Sequence, residues 1–432
     1  MVNIFWFRRD LRLDDNHGLF KALKSGLPVQ PLFIFDSEIL NRLTDKNDPR
    51  VQFIYNQLFE IHQTLKKFNA GLQIEIGKPT DIFARIIQKG SVKQVFANQD
   101  FEPYGQQRDH AIQSLLISHG IDFHLFKDHV IFAPGEILKA DNLPYTVFTP
   151  FSKRWKLQLS PNQVELFDSL SLMSNFAKSE FIFPDLEATG FKPASIQVPA
   201  MKIEASFIGN YANNRNFPSL EGTSLAGTHL RFGTVSIRRL VKLALQTSET
   251  WLNELIWREF FMHILFHFPH SANKNFYRKY DHLQWLNDES AFEAWTAGKT
   301  GYPLVDAGMR ELLATGLMHN RVRMVTASFL TKHLLIDWRW GEAWFASKLL
   351  DYEMASNVGN WQWAAGTGCD AAPYFRVFNP TEQLKKFDPH LNYIRKWLPE
   401  FDSFGYRQPI VQHSFARDRA LLTYKKALTS QL

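Results

Sequence analysis

In the stretch TWLNELIWREFF, Trp251, Glu254, Trp257, Arg258 and Phe261 follow steps of three and four, so one side of a helix carries all five. A buried charge has to be paired. Two arrangements meet that demand: a surface pair between Glu254 and Arg258, or a pocket floor with one carboxylate between flat aromatic walls. The stretch HNRVRM repeats the theme, with Asn320, Arg323 and Met324 on one face and Arg321 to its side. Basic residues at a helix start oppose its dipole, so phosphate or a carboxylate such as Asp351 or Glu353 is expected nearby. A solvated basic turn is the plainer alternative.

Trp361 and Trp363 stand among small, uncharged residues in NWQWAAGTGCDAAPYFRVFNP. That pattern suits a crowded core, or a seat for something flat and aromatic that is not protein. In DWRWGEAW, Trp340 and Trp344 are i,i+4 neighbours and read as core, whereas Trp338 falls on another face. The segment GTSLAGTHLRFGTVS, Gly222 to Ser236, puts hydroxyls and glycines ahead of a helix. Backbone N–H groups there could hold a diphosphate; an ordinary capping loop reads the same way. His263, His267 and His270 have spacing compatible with zinc, but no glutamate follows the first and apolar residues dominate, so no metal site is expected.

These residues need elements to position them. The first ~135 residues alternate strand and helix: VNIFWF, VQPLFIFD, LQIEIG, VKQVFAN and IDFHLFK read as strands. Such alternation predicts a doubly wound, Rossmann-like parallel sheet covered on both faces. No Gly-rich dinucleotide fingerprint follows the first strand. Residues 136–205 are rich in proline, serine and asparagine and read as a surface connector. Residues 206–432 read as a larger all-helical domain.

With 432 residues the chain can build more than one core. A charged share of 21% and hydrophobic share of 45% fit a globular protein, and no run approaches a membrane span. Charged residues in MVNIFWFRRDLRLDDN place the N-terminus in the fold rather than in a signal peptide. The single cysteine, Cys369, suits a reducing, cytoplasmic setting. A net charge of +6 permits a polyanionic partner without demanding one. Ten of the 12 tryptophans lie at or beyond Trp251, which points to two parts with different work.

The motifs, in order, resemble the photolyase/cryptochrome family: FWFRRDLRLDDN, WLNELIWREF, GKTGYPLVDAGMREL, MHNRVRMVTASFLTKHLLIDW, NWQWAAGTGCDAAPYFRVFNP and YIRKWLPEF. The resemblance covers nearly the whole chain, is weakest between about 155 and 205, and is most like the class I cyclobutane pyrimidine dimer photolyases. It implies an antenna domain at 1–135 and an FAD- and DNA-binding catalytic domain at 206–432.

By this resemblance, Tyr211, Thr223, Ser224, Leu225, Ala226, Gly227 and Trp251 contact FAD, as do Asp351, Tyr352 and Glu353. Arg323 and Asp351 match an ion pair beside the isoalloxazine, and Asn357 matches the neutral amide facing flavin N5. Glu254, Trp257, Arg258, Asn320, Met324 and Trp363 match the pocket for a flipped pyrimidine dimer, with Arg215, Arg321 and Arg323 toward DNA. Trp361, Trp338 and Trp285 match a tryptophan chain that carries an electron inward from the surface. The implied activity is light-driven electron transfer from reduced FAD to the dimer, which splits it. DNA containing such dimers is the implied partner, and the protein is expected to be monomeric.

Two features depart from the pattern. Gly227 lacks the hydroxyl many relatives have there, and NQDFEPYGQQRD has Tyr104 and Gly105 where folate-binding relatives have Asn-Glu. The second favours a deazaflavin or flavin antenna over a folate. Three rival readings follow: a cryptochrome-type blue-light receptor, a (6-4) photoproduct photolyase, and a DNA-binding flavoprotein without turnover. The (6-4) enzymes tend to carry a histidine pair in the pocket, whereas MHNRVRM offers His319 followed by Asn320.

Overall fold

The computed structural model describes residues 1–403 and 406–429. By internal contacts the chain forms two units, residues 1–136, 157–201 and 225–246, and residues 137–156, 202–224 and 247–432; positions 430–432 of the expected helical domain lie outside the described residues.

The first unit is built on five strands, β1 (Val2–Phe7), β2 (Val29–Asp36), β3 (Gln73–Gly77), β4 (Val92–Asn98) and β5 (Asp122–Phe126). All pair in parallel in the order β3-β2-β1-β4-β5. Every strand read from the sequence is present. Side chains of β1 alternate between two cores, as a strand covered on both faces must do. Phe5 and Phe7 pack with Leu19 and Leu23 of α1 (His17–Leu23) and with Leu58 and Leu65 of α2 (Pro49–Lys66). Ile4 and Trp6 pack with Phe83 of α3 (Pro79–Gln88) and Leu116 of α4 (Pro103–Ile117).

The expected connector is not one. Met173, Phe176, Leu186 and Phe191 are buried in the same core as Phe5 and Phe7, and Ala177 N–H donates to Val29 O at 2.8 Å. Apart from α5 (Phe148–Gln158), the segment is irregular backbone without periodicity, which hid these apolar anchors. The 205/206 boundary also differs, because residues 225–246 belong to the first unit. They supply α6 (Ala226–Phe232) and most of α7 (Ile237–Thr247). Arg238 explains the attachment: its guanidinium grips Asp15 at 3.0 Å and Asp128 at 2.8 Å, and Arg12 meets Asp128 at 2.6 Å. All four are buried. Burial alone would raise the Asp128 pKa; Arg12 and Arg238 outweigh it and hold the carboxyl well below its usual range.

The second unit is helical. Its central elements are α8 (Glu249–His267), α9 (Pro303–Thr315), α10 (Asn320–Ser328), α11 (Trp338–Lys348) and α12 (Met354–Ala365). A buried core of Leu304, Val322, Phe329, Trp338, Phe345 and Trp361 joins α9 through α12. The run NRVRMVTASFLTKHLLIDW is not one helix: after Ser328 the backbone widens to a π turn over Phe329–His333 and stops before Trp338. That break lets α11 leave in a new direction and pack on α12.

Candidate active site

Three helices, with Phe345 of α11 among the lining residues, and one turn build a cleft in the second unit. Asn320, Arg323 and Met324 come from α10, Asp351, Tyr352 and Glu353 from the turn between α11 and α12, and Asn357, Trp361 and Trp363 from α12. Its empty space, counted out into open solvent, is about 580 Å³. The small residues of α12 are explained in part by neighbouring helices. A Cβ on Gly359 would stand 2.2 Å from Phe261 of α8, and one on Gly341 of α11 would stand 2.1 Å from Trp361. Close helix approach, and not only room for a ligand, demands them.

The charges are paired. Arg323 meets Asp351 through two bonds of 3.2 and 2.9 Å and donates from Nε to Met318 O at 2.7 Å. Asn357 donates from Nδ2 to Glu342 Oε1 at 3.0 Å and to the Glu342 carbonyl at 3.2 Å. Burial pushes the Glu342 pKa up, against the hydrogen bonds from Asn357 and Tyr352.

The surface pair expected between Glu254 and Arg258 does not form. Glu254 pairs with Arg215 at 2.5 Å, while Arg258 turns inward to a buried, two-bond pair with Glu353 at 3.1 Å. Helix α8 separates the two charges onto different neighbours, and the Arg258–Glu353 pair ties α8 to the turn before α12. Burial raises the Glu254 pKa, with the Arg215 guanidinium opposing it. Arg215 also lies 5.2 Å over the Tyr211 ring. Arg321 donates to Asn216 at 2.6 Å and sits 4.4 Å over Phe387; of the two carboxylates expected to balance this helix start, Asp351 serves Arg323.

Trp257 stacks on Phe148 at 3.6 Å with the rings 5° from parallel. Trp251 donates from its indole to Ser224 Oγ at 3.3 Å. Gly222 closes on Asn214, where a Cβ would come within 2.6 Å, and this brings Thr223 and Ser224 beside the turn carrying Tyr211. Leu225, Ala226 and Gly227 fall in the first unit. Leu225 caps α6 with φ at +56°, a left-handed backbone that a leucine adopts only when its surroundings enforce it.

Trp361 and Trp338 are fully buried and Trp285 is half-buried. Trp361 touches Phe345 and Trp295 edge-on at 5.0 and 6.1 Å. Trp338 donates to Asn275 Oδ1 at 2.9 Å, and Trp285 meets Tyr424 at 6.3 Å. Trp340 and Trp344, expected in the core, are only half-buried against it. Sequence reasoning missed Glu342, Asn216 and Phe148: the first two carry no periodic signal, and the third lies in the presumed connector.

The family profile described as "FAD binding domain of DNA photolyase" matches residues 251–405, and that described as "DNA photolyase" matches residues 3–168. The deoxyribodipyrimidine photo-lyase of Vibrio cholerae is 36% identical, covering 99% of this chain and 100% of the relative. The chain belongs to the DNA photolyase family. Membership carries light-dependent DNA repair as the activity, carbon–carbon lyase chemistry, and FAD as the cofactor. The fold agrees. A class III photolyase from Agrobacterium tumefaciens superposes with a TM-score of 0.88 at 33% identity, covering 99% of this chain and 97% of that one. An archaeal photolyase from Sulfolobus tokodaii, described with two FAD molecules, gives 0.85 at 33% identity over 99% and 100%.

The cleft fits a flavin on its own chemistry. An isoalloxazine has two flat apolar faces and a polar edge. Trp361, Phe345, Met324 and Trp363 offer apolar surface, while Asn357, Arg323 and Asp351 offer hydrogen bonds at the rim. Among the described residues no helix is long and apolar enough to cross a membrane.

Proposed function

We propose that the α10–α12 cleft holds FAD and a pyrimidine dimer flipped out of DNA, and that the protein splits the dimer under blue light. The observation that carries this reading is the single cleft shared by Asn320, Arg323, Met324, Asp351, Asn357, Trp361 and Trp363. FAD, when bound and reduced, supplies the light-excited electron that opens the cyclobutane ring.

The chain's own residues bind, orient and exclude water. Asn357 commits its NH2 to Glu342, so its carbonyl oxygen is the polar atom left to accept a proton donor at the flavin edge. The Arg323–Asp351 pair sets a neutral border to the cleft. Glu254, held by Arg215, and Asn320 offer hydrogen bonds to the carbonyl and N–H groups of the pyrimidines, with Trp257, Met324 and Trp363 as apolar walls. Arg215 and Arg321 hold the flanking phosphates without reading sequence. Arg376 joins them, since its charge is felt at Arg321 together with that of Arg215. Tyr211, Thr223, Ser224 and Trp251 serve the remainder of FAD, and Trp361, Trp338 and Trp285 relay an electron from the surface.

A second, light-harvesting chromophore of deazaflavin or flavin type belongs to the same reading. The strand order reverses at β1 and β4, and open parallel sheets hold ligands beyond the carboxyl ends of strands at such a point. Gly105 is needed there for packing, because a Cβ would stand 2.4 Å from Asp100. The protein acts as a cytoplasmic monomer on dimer-containing DNA.

Repair of a dimer-containing oligonucleotide, followed in blue light and in darkness, tests the proposal. Repair is expected only in light and drops strongly in Glu254→Ala. Repair at equal rates in darkness would overturn it.

A further inference from the structure

His319 precedes α10 and is nine-tenths buried. Its backbone is non-helical, with φ −57° and ψ 134°, and its Nδ1 accepts the N–H of Arg321 at 3.1 Å. That is the bond an N-cap side chain makes with the second helical residue. The cap is itself anchored. The His319 N–H donates to Glu311 Oε2 at 3.2 Å, and the Tyr393 hydroxyl donates to that same oxygen at 2.6 Å. Glu311 belongs to α9, so two elements outside α10 fix where the helix begins. From this anchor the next five residues supply Asn320, Arg321, Arg323 and Met324.

We infer that His319 is a positioning residue for dimer recognition, the neutral N-cap that holds Asn320, Arg321 and Met324 toward the lesion. This role rests on the proposed reading that α10 faces the dimer.

Imidazole suits the place better than the usual caps. Serine, threonine, aspartate and asparagine are the commoner choices. Aspartate would put a carboxylate beside Arg215, Arg321 and Arg323, whose charges all act on His319, and so draw arginines away from phosphate. A neutral ring accepts the Arg321 N–H without adding a further anion to compete for those cations. Accepting at Nδ1 puts the ring proton on Nε2, and burial together with the three arginines pushes the pKa down to about 4, which keeps the ring neutral.

Three variants separate the cap from mere bulk. His319→Ala removes the acceptor, His319→Asn keeps a neutral one, and His319→Asp keeps one but adds charge. Affinity for a dimer-containing oligonucleotide is measured beside FAD content, thermal stability and repair at saturating DNA. Loss of a cap predicts that His319→Ala weakens affinity about tenfold, with the loss in affinity rather than in repair of saturated protein. His319→Asn recovers to within about threefold, and His319→Asp recovers stability without recovering affinity. Wild-type affinity in His319→Ala would overturn the role, as would His319→Asn binding no better than His319→Ala. Should His319→Ala fail to fold, His319→Gln, a poor cap of similar polarity, takes its place. Wild-type protein in the same light assay keeps the two readings apart: absence of repair there sinks the proposed function, whereas normal repair with indifferent variants sinks only the cap.

Discussion

Asn357 and Glu342 form a side-chain pair at 3.0 Å in which the amide donates and the carboxylate accepts. The pair joins α12 to α11 at the cleft and decides which polar atom of Asn357 is left to meet a ligand.

Asn357→Asp places a second carboxylate against Glu342, whose pKa burial already raises. Two carboxylates at that distance favour a shared proton, so the folded state binds protons more tightly than the unfolded. Folding then weakens as pH climbs from about 5 to 8. Thermal unfolding at both ends of that range should show the variant's deficit against wild type growing with pH, and repair should fall with it. A deficit independent of pH would argue against the pair.

Glu254→Gln separates stability from recognition. The raised Glu254 pKa means that its contribution to folding is lost as pH rises through the window above about 4.5. A neutral isostere removes that cost, so no drop in melting temperature at pH 7 is expected despite the broken pair with Arg215. Dimer affinity should fall by about tenfold or more, in line with a lost charge-assisted hydrogen bond. Melting curves and oligonucleotide binding on one preparation measure both.

Arg238→Ala tests the attachment of α7 to the sheet unit. It leaves Asp15 and Asp128 buried with much of their compensation gone, and breaking such a pair costs about 3–5 kcal/mol. The depressed Asp128 pKa contributes stability above about pH 4 that is lost toward lower pH. Denaturant unfolding should therefore show a gap between wild type and variant that narrows in acid.

Gly341→Ala forces a methyl group onto Trp361 and Leu330, which stand 2.1 and 2.6 Å from the Cβ position. Overpacking of this kind costs about 1–3 kcal/mol. Because Trp361 lines the cleft, FAD content measured by absorbance should fall together with the melting temperature. Unchanged FAD content in a folded variant would separate the helix contact from the cofactor seat.

Much of this protein is legible in one dimension. The alternation of VNIFWF and its successors fixed five parallel strands, because a strand buried on both faces must be apolar at consecutive positions. The 3.6-residue spacing on α10 put Asn320, Arg323 and Met324 on one face, and all three line the cleft. The ordered motifs then supplied the family. Pairing was not legible. Glu254 and Arg258 are a plausible couple by spacing, yet each has a different partner, Arg215 and Glu353, brought from 39 and 95 positions away. Spacing restricts which neighbours a side chain can reach along its own helix and says nothing about chains arriving from elsewhere.

The same limit hid Met173 and Phe191, whose burial comes from docking onto the sheet rather than from local periodicity. It hid Glu342, which matters only because α11 crosses α12 beside Asn357. Local sequence determined the elements, their apolar faces and the chemical types available to the cleft, since those follow from neighbours within a few residues. Tertiary structure alone decided which charges are paired, which glycines are pressed against aromatic rings, and how α10 is anchored, since each depends on two segments meeting across the fold.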